Sequence, residues 1–346
     1  MSILLCHNSS LECLRAVPPQ AEKLHPTTQA LHLEEVTPAR GELAKLEPQQ
    51  VGIVQRPLHH LIPMGLRRSD ARGVVSHRTG MKEVPQGLIL ETAPDIYACG
   101  PEMTFVQMAS CTSLVGAVVL GHELCGSYAH FARLVSGFYE RPPLTSVERI
   151  KEAMEQLSHM GMHGMKPARE ALRWVRNGSA SPMETVVSCM IHLPKSMGGF
   201  GLMAPMLNYE VQLDDAAKRM TGTDTCRVDT AYIYETNGTR RKEGLEFDGR
   251  DYHRDAEADR MRREALAHMG WTIYVLNVDE LKTYRKVRDK VALLDKIPRQ
   301  RGLDEVEEKA GRQLLKRLLH ATRCGMGLEA ALFGVPLPKG KVKLHL

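Results

Sequence analysis

A two-residue turn, Asn237-Gly238, most constrains what this chain can fold into. Asn-Gly between two β-prone segments is the strongest short-range signal for a hairpin, because a type I′ turn needs a positive φ angle at both central residues. We therefore predict that residues 228–236 and 239–248 form an antiparallel pair of strands. The length of the turn then determines which side chains of the two strands face each other.

A two-residue loop places Asp229 opposite Glu246 and Arg227 opposite Asp248. Directly opposed side chains share one face of a sheet, with Cβ atoms about 4.5 to 5.5 Å apart. Three carboxylates, those of Asp229, Glu246 and Asp248, are therefore expected to converge on one face. The apolar side chains of the two strands are expected on the other face: Val228, Tyr232, Leu245 and Phe247.

The three converging carboxylates need a compensating charge, because like charges that face each other destabilise a sheet. A divalent cation is the simplest compensation. Carboxylate oxygens suit Mg²⁺ (or Mn²⁺), since Mg²⁺ typically binds one or two carboxylates and keeps several waters for a phosphate substrate. Such an ion polarises a phosphoryl oxygen and lowers the pKa of its bound water, which is the chemistry of phosphodiester hydrolysis. The alternative is that the acids form only the solvated outer face of the hairpin.

A longer motif extends from the hairpin into the next helix and strand. The residues that carry it are Asp229, Glu246-Phe247-Asp248-Gly249, His253, Asp259, Arg262, Leu266 and Gly270, followed by a strand at 271–278. This arrangement resembles the very-short-patch-repair-like branch of the PD-(D/E)XK nuclease superfamily, over the chain from about residue 181 onward. The resemblance implies an α+β, restriction-endonuclease-like fold, in which a mixed sheet is flanked by helices, and it implies DNA as the substrate.

The resemblance also implies a role for each motif residue. Asp229 and Glu246 would bind the metal ion, and Asp248 would support the metal or the attacking water. Many relatives have Lys where this chain has Asp248. Activation of the water is therefore expected from the metal itself or from His253, because imidazole titrates near neutral pH. Arg262 is expected to contact a phosphate of the substrate.

Glu184 follows a helix-start signal. Ser181 is a good N-cap residue, Pro182 suits the first helical position, and Glu184 three residues after the cap approaches a capping box. Glu184 therefore has a structural explanation. The resembled family often places a helical Glu here that reaches the metal ligands, so a catalytic role for Glu184 is equally open.

The length of 346 residues is near the practical limit of one hydrophobic core, so more than one domain is expected. Prolines interrupt the first 48 residues, which predicts an irregular arm at 1–48 with one short helix at 9–14. Residues 49–135 are predicted to form a small α+β domain, and residues 136–180 a helical connector. Residues 181–346 then form the nuclease-like domain, which ends in basic helices.

The N-terminal half resembles the region that precedes such nuclease domains in bacterial proteins related to AbiEi-type abortive-infection antitoxins. The carrying segments are His59-His60-Leu61-Ile62-Pro63, Val74-Val75-Ser76-His77-Arg78 and residues 101–109. None of these residues is catalytic by type and spacing, although the basic ones are suited to contact phosphate. Short strands are expected near 51–54, 73–76, 88–91 and 96–99, with a helix that begins at Pro101.

Composition argues against several other classes of protein. The eight cysteines include no Cys-x-x-Cys pair, so neither a zinc site nor a disulfide framework is indicated. His159 and His163 have no carboxylates or cysteines in register, and so they do not predict a metal site. The longest apolar run, at 114–120, is far too short to cross a bilayer. The first residues lack the pattern of a secretory signal, so a cytoplasmic protein without membrane contact is expected.

Charge is unevenly distributed along the chain. The formal net charge is +5, but residues 282–346 carry 16 Lys and Arg against 7 Asp and Glu. These charges either attract a nucleic acid or belong to solvated helix faces. The leading hypothesis is a Mg²⁺-dependent DNA endonuclease or nickase in phage defence or DNA repair, with an RNA substrate also open. The alternative is a catalytically silent nuclease fold that binds nucleic acid, or a protein partner in a toxin-antitoxin or defence system.

Overall fold

A computed structural model describes residues 2–16, 25–36, 38, 42–46, 57–131, 137–248, 256–294 and 305–323. The strands are β1 (Ile3–Leu5), β2 (His25–Pro26), β3 (Leu31–His32), β4 (Leu58–Pro63), β5 (Val74–Thr79), β6 (Glu83–Val84), β7 (Ile89–Ala93), β8 (Ile96–Cys99), β9 (Tyr128–His130), β10 (Phe138–Glu140), β11 (Met206–Gln212), β12 (Thr225–Thr236), β13 (Thr239–Asp248) and β14 (Trp271–Asn277). The helices are α1 (His7–Leu14), α2 (Glu42–Lys45), α3 (Pro101–Ala109), α4 (Leu114–Leu124), α5 (Val147–Leu157), α6 (Met165–Leu172), α7 (Pro182–His192), α8 (Asp215–Thr221), α9 (Ala256–His268), α10 (Val278–Leu281), α11 (Tyr284–Val291) and α12 (Glu305–Arg323). These helices and mixed sheets confirm the predicted α+β class.

The predicted hairpin is confirmed in its strands and, near the turn, in its register, but the predicted pairs of Asp229 with Glu246 and of Arg227 with Asp248 are not among the paired residues. β12 and β13 pair antiparallel from the turn as far as Thr230 opposite Leu245. The turn residues Asn237 and Gly238 have φ angles of 52° and 74°, which are the positive values that a type I′ turn requires. β11 pairs antiparallel with β12, and β14 pairs in parallel with β13. The resulting sheet has the strand order β11-β12-β13-β14.

One predicted side-chain orientation in the hairpin is wrong. Val228 is expected on the same face as Tyr232, yet it packs with Ala231 and the apolar side chains of α9, whereas Tyr232 belongs to the core on the other face. The period-two alternation of β12 is therefore interrupted between Val228 and Ala231. The neighbouring strand is irregular at the same level, because Asn208 of β11 has a φ of 47°. Asp229 lies within this irregular part, just beyond the paired residues of β12 and β13.

The N-terminal segment differs from its prediction as an irregular arm. Ile3–Leu5 forms β1 inside a six-stranded sheet of order β2-β7-β8-β1-β4-β5. It pairs in parallel with β8 and antiparallel with β4, and its three side chains are fully buried. Three apolar residues are too few to show the period of a strand, so the sequence pattern alone does not reveal it. The helix predicted at 9–14 is present as α1.

The rest of the N-terminal half largely follows its predicted elements. β5, β7, β8 and α3 lie where strands and a helix are expected, and α3 has Pro101 in its first turn. The strand expected at 51–54 lies outside the described residues. The segment 136–180, predicted to be a helical connector, also contributes β10, which pairs antiparallel with β9. Among the described residues, no helix is both long and apolar enough to cross a bilayer.

One cluster of buried side chains links the two larger sheets. It contains Leu11 of α1, Val118 of α4, Val187 of α7 and Leu245 of β13. α4 contacts α6, α7 and α12, while α7 contacts β12 and β13. α4 and α12 pack against α7, and α7 in turn packs against the hairpin strands β12 and β13. This packing places the first turn of α7 beside Asp229.

Candidate functional site

Four of the predicted site residues, Asp229, Glu246, Asp248 and Arg262, line a pocket at the end of β12 and β13. The pocket has a volume of about 240 Å³. Its lining residues, which define the acidic pocket, are Arg227, Asp229, Glu246, Phe247, Asp248, Asp259, Arg262, Arg263 and Val275. Four carboxylates and three guanidinium groups therefore meet in a small volume. Such a mixture of charges can bind both a cation and a phosphate.

Glu246 and Arg262 form an ion pair with two hydrogen bonds in the acidic pocket. Arg262 lies on α9 and donates from Nη1 to Glu246 Oε2 (3.0 Å) and from Nη2 to Oε1 (2.6 Å). Its Nη2 also donates to the carbonyl oxygen of Arg227 (2.5 Å). Burial disfavours the charge on Arg262, but the hydrogen bonds and charge of Glu246 outweigh this effect and raise the pKa of the guanidinium. The carboxylate predicted to bind metal is thus paired within the protein.

Asp229 stands beside Glu246 but does not pair with it in the expected way. Its Oδ2 accepts a hydrogen bond from the backbone N–H of Phe247 (2.9 Å). The contact lies where β12 becomes irregular. At this point a side-chain oxygen of β12 accepts a hydrogen bond from the backbone of β13. Asp229 consequently lines the same pocket as Glu246, while one of its oxygens is held by the neighbouring strand.

Glu184 lies in the first turn of α7, where it is buried and close to Asp229. Ser181 Oγ accepts from the N–H of Glu184 (3.2 Å), which confirms Ser181 as the N-cap of α7. Glu184 Oε2 accepts from the N–H of Ala180 (2.8 Å) and from Asn208 Nδ2 (2.6 Å). Burial, together with the nearby charge of Asp229, raises the pKa of Glu184 to about 7. The structure therefore gives Glu184 both a structural contact and an ionisation near neutral pH.

We expect Glu184→Gln to change how stability depends on pH. The pKa of Glu184 is raised from 4.5 to about 7, so the folded protein binds this proton more tightly than the unfolded chain does. Relative to the variant, the wild type should lose stability on the order of 3 kcal/mol as the pH rises through this range. Urea unfolding of both proteins at about pH 5 and about pH 8 measures the difference.

The exposed Glu235 of β12 provides the control for this prediction. Glu235→Gln makes the same chemical change at a side chain exposed to solvent, and it should leave the difference from wild type nearly the same at both pH values. An equally constant difference for Glu184→Gln would contradict the assignment of the raised pKa to Glu184.

The remaining residues considered for the site are Asp248, His253 and Lys242. Asp248 is exposed at the end of β13, opposite Asn277 of β14. His253 lies outside the described residues. Lys242, the nearest lysine on β13, donates from Nζ to the carbonyl oxygen of Met269 (2.9 Å). Lys242 is therefore engaged away from the acidic pocket and does not replace the lysine for which this chain has Asp248.

Several contributors to the site are not evident from the sequence motif. Arg263 lines the acidic pocket directly after the motif residue Arg262, but no spacing rule distinguishes it. Asn208 holds Glu184 from a strand outside the motif. Asn208 lies on β11, outside the spacing of the motif, so the motif carries no signal for this role.

The carboxylates of the acidic pocket are less tightly grouped than their predicted convergence implies. Among the described residues, no three of them bring one oxygen each within 4.8 Å of one another. The interruption of β12 at Asp229 and the pairing of Glu246 with Arg262 explain this separation. The described residues that do meet this distance are Cys6, His7 and His77, in the N-terminal half.

Comparison with known proteins gives no relative for this chain. No protein-family model, no curated protein and no solved structure matches it at a significant level. The functional assignment of the acidic pocket therefore depends on the contacts, burial and charges described above.

Proposed function

We propose that this protein is a Mg²⁺-dependent (or Mn²⁺-dependent) DNA endonuclease or nickase of the PD-(D/E)XK type that acts at the acidic pocket. The observation that carries the proposal is the meeting of Asp229, Glu246 and Asp248 with three arginines in one pocket. Neighbouring acids and guanidinium groups suit a divalent cation and a phosphodiester at the same place. The order and directions of β11 to β14 agree with the mixed sheet that the sequence resemblance implies.

The donor groups fit a hard cation. Asp229, Glu246 and Asp248 supply only oxygen atoms, which Mg²⁺ prefers. Glu246 would have to exchange its hydrogen bonds with Arg262 for the metal ion. When bound, the ion would polarise a phosphoryl oxygen and lower the pKa of a water molecule.

The other residues of the pocket have roles that follow from their charge. Arg262, once released from Glu246, and Arg263 can donate paired hydrogen bonds to phosphate oxygens. Glu184, whose pKa is about 7, can take up or release a proton near neutral pH beside Asp229. His253 is the predicted second group for proton transfer. Exposed basic side chains of α11 and α12, such as Lys286, Lys316 and Arg317, would add a sequence-independent attraction for the DNA backbone.

A second function is favoured by one specific observation. Arg262 neutralises Glu246 with two hydrogen bonds, and Asp248 stands at the position where many relatives have lysine. A chain that keeps this ion pair closed would bind nucleic acid, or a protein partner in a toxin-antitoxin or phage-defence system, without hydrolysis. The two functions differ in their response to metal ions.

A cleavage assay with matched variants tests the proposal. Purified protein is incubated with single-stranded, duplex, nicked or mismatched DNA, and with RNA, in Mg²⁺, Mn²⁺ or EDTA. We expect metal-dependent cleavage of DNA that falls at least about 100-fold in Glu246→Gln and Asp229→Asn, because each change removes a charged ligand. Glu235→Gln, a change at an exposed residue of β12, should cleave as the wild type does.

The same assay distinguishes the alternatives. If the protein binds DNA but does not cleave it with either Mg²⁺ or Mn²⁺, the endonuclease proposal fails and the nucleic-acid-binding function is favoured. Cleavage that is unchanged in Glu246→Gln would show that another site or a contaminant is responsible. Preferential cleavage of RNA would change the substrate class but keep the acidic pocket as the site.

A further inference from the structure

A second group of ligand-type side chains lies in the N-terminal half, far from the acidic pocket in the chain. Cys6 lies between β1 and α1, His7 is the first residue of α1, and His77 belongs to β5, two strands away from β1 in the same sheet. The Cys6 Sγ and one ring nitrogen of each histidine lie within 4.8 Å of one another. Cys6 is a fully buried free thiol. Thiol and imidazole are the ligands that zinc and related transition metals prefer.

The backbone at His7 is held in an unfavourable conformation. Its φ angle is 49°, a left-handed value that is uncommon for residues other than glycine. The N–H of His7 donates to Gln107 Oε1 (2.9 Å), which fixes this conformation from α3. Its ring atom Nδ1 is buried and makes no hydrogen bond. A strained backbone and an unsatisfied buried nitrogen at one residue both point to a ligand.

The surroundings also hold His77 in place. The rings of His7 and His77 are stacked with centroids 3.6 Å apart. His59 Nδ1 and His77 Nε2 share a hydrogen bond of 2.8 Å. In metal sites, a ligand histidine usually uses its second ring nitrogen in such a contact, which orients the ring. His59 is positioned to orient His77 in this way.

We propose that Cys6, His7 and His77 bind a transition-metal ion of the zinc class, with a fourth coordination position open to the adjacent cavity. Three protein ligands with one open position are typical of zinc sites that bind a water or a further ligand. Ligand atoms of tetrahedral zinc are about 3.4 Å apart, as follows from zinc-ligand bonds of about 2.1 Å. The three ligand atoms lie within 4.8 Å of one another. Metal binding therefore requires them to move closer and one of the stacked histidine rings to rotate, so that both imidazole lone pairs point to the ion.

The adjacent cavity gives the open position a defined environment. It has a volume of about 550 Å³, and both His7 and His77 line it. Its polar wall includes Arg68, Arg78 and His163. These basic groups favour an anionic ligand on the metal over a cationic one. None of the residues that line this cavity lines the acidic pocket, so the proposed site does not depend on nuclease activity.

Cobalt substitution tests the site directly. Tag-free, metal-depleted full-length protein is titrated with Co²⁺, and the thiolate-to-cobalt charge-transfer absorption is recorded. Zinc content and zinc affinity are measured in parallel by elemental analysis and by competition with a chromophoric chelator. We expect one equivalent of zinc per chain and a charge-transfer band in the wild type. Cys6→Ser should abolish the band, and His77→Gln should weaken zinc binding at least about 100-fold.

Two control variants make the result specific. Cys99→Ser changes another fully buried cysteine in the same apolar cluster as Cys6 and should keep both the band and the zinc affinity. Glu246→Gln removes a carboxylate of the acidic pocket and should also leave the band unchanged, since carboxylates give no thiolate absorption.

Three outcomes would overturn the proposal. One is the absence of a thiolate-to-cobalt band in the wild type. This result would count against the site even if Cys6→Ser did not fold, because it is measured on the wild type alone. Another is equal zinc affinity in His77→Gln and the wild type. The third is loss of the band in Cys99→Ser to the same extent as in Cys6→Ser, with both variants folded as judged by circular dichroism.

Discussion

Replacement of Glu123 by Ala is expected to lower the free energy of unfolding by about 3–5 kcal/mol, because it leaves a buried guanidinium without its partner. Glu123 lies on α4 and is 1% exposed. Arg15 donates to both of its carboxylate oxygens at 2.7 Å. His130 donates to the same carboxylate from its backbone N–H (3.0 Å) and from Nδ1 (2.9 Å). One side chain thus joins α1, α4 and β9.

The ionisation of Glu123 determines the pH range of this effect. Burial alone would raise its pKa, but Arg15 and His130 outweigh burial and hold the pKa well below the usual 4.5. A lowered pKa means that the stabilisation is fully present above about pH 4.5 and is lost as the pH falls further. Urea unfolding near neutral pH is therefore the proper measurement for Glu123→Ala.

Two further variants show whether the lost stability comes from the buried charge. Glu152 is an exposed residue of α5, so Glu152→Ala should change stability by less than about 0.5 kcal/mol. Addition of Arg15→Met to a Glu123→Met background should restore part of the loss, because it removes the unpaired guanidinium. A loss in Glu123→Ala no larger than in Glu152→Ala would contradict the structural role of this network.

Replacement of Arg262 by Met is expected to lower the free energy of unfolding by about 2–3 kcal/mol. The variant loses two hydrogen bonds to Glu246 and leaves that carboxylate, which is 8% exposed, without its cation. Arg260 on the same helix is the matched control. It pairs with Glu257 and Glu264, but its side chain is 57% exposed. Arg260→Met should therefore cost less than about 1 kcal/mol.

Arg262→Met also tests the proposed metal ligand. Without the guanidinium, Glu246 can accept a cation at no cost in broken hydrogen bonds. If the proposed function is correct, Mg²⁺ should raise the stability of Arg262→Met more than that of the wild type, because an ion that binds the folded state more tightly stabilises it more at the same concentration. An identical response of both proteins to Mg²⁺, measured by thermal unfolding, would argue against Glu246 as a ligand.

The contact of Arg262 with Glu246 and the contact of Arg15 with Glu123 differ in how far the sequence indicates them. Arg262 belongs to a motif with recognisable spacing, and its presence in the acidic pocket could be expected from the hairpin register and the helix that follows. Its pairing with Glu246, rather than with a phosphate, depends on how closely α9 packs on the sheet. Arg15 and Glu123 belong to no motif, and their contact arises only when α1 docks on α4.

Local signals in the sequence determined the part of the chain around the hairpin. Asn237-Gly238 restricts its own backbone to a type I′ turn, so the strand bounds at 239–248 and the register near the turn follow from neighbouring residues alone. The start of α7 follows in the same way from Ser181. In each case the physical cause acts within a few residues, where side-chain type and backbone preference are directly readable.

Only the tertiary structure decided the contacts between distant segments. β1 carries too few residues to show a strand period, and Cys6 and His7 meet His77 only because β1, β4 and β5 lie in this order in one sheet. The alternation of β12 is interrupted around Asp229, at the level of the irregular backbone of Asn208, and the carboxylates that a regular hairpin would bring together lie apart. Such contacts depend on which elements become neighbours in the folded core, and that choice is made by packing of the whole chain and not by any local pattern.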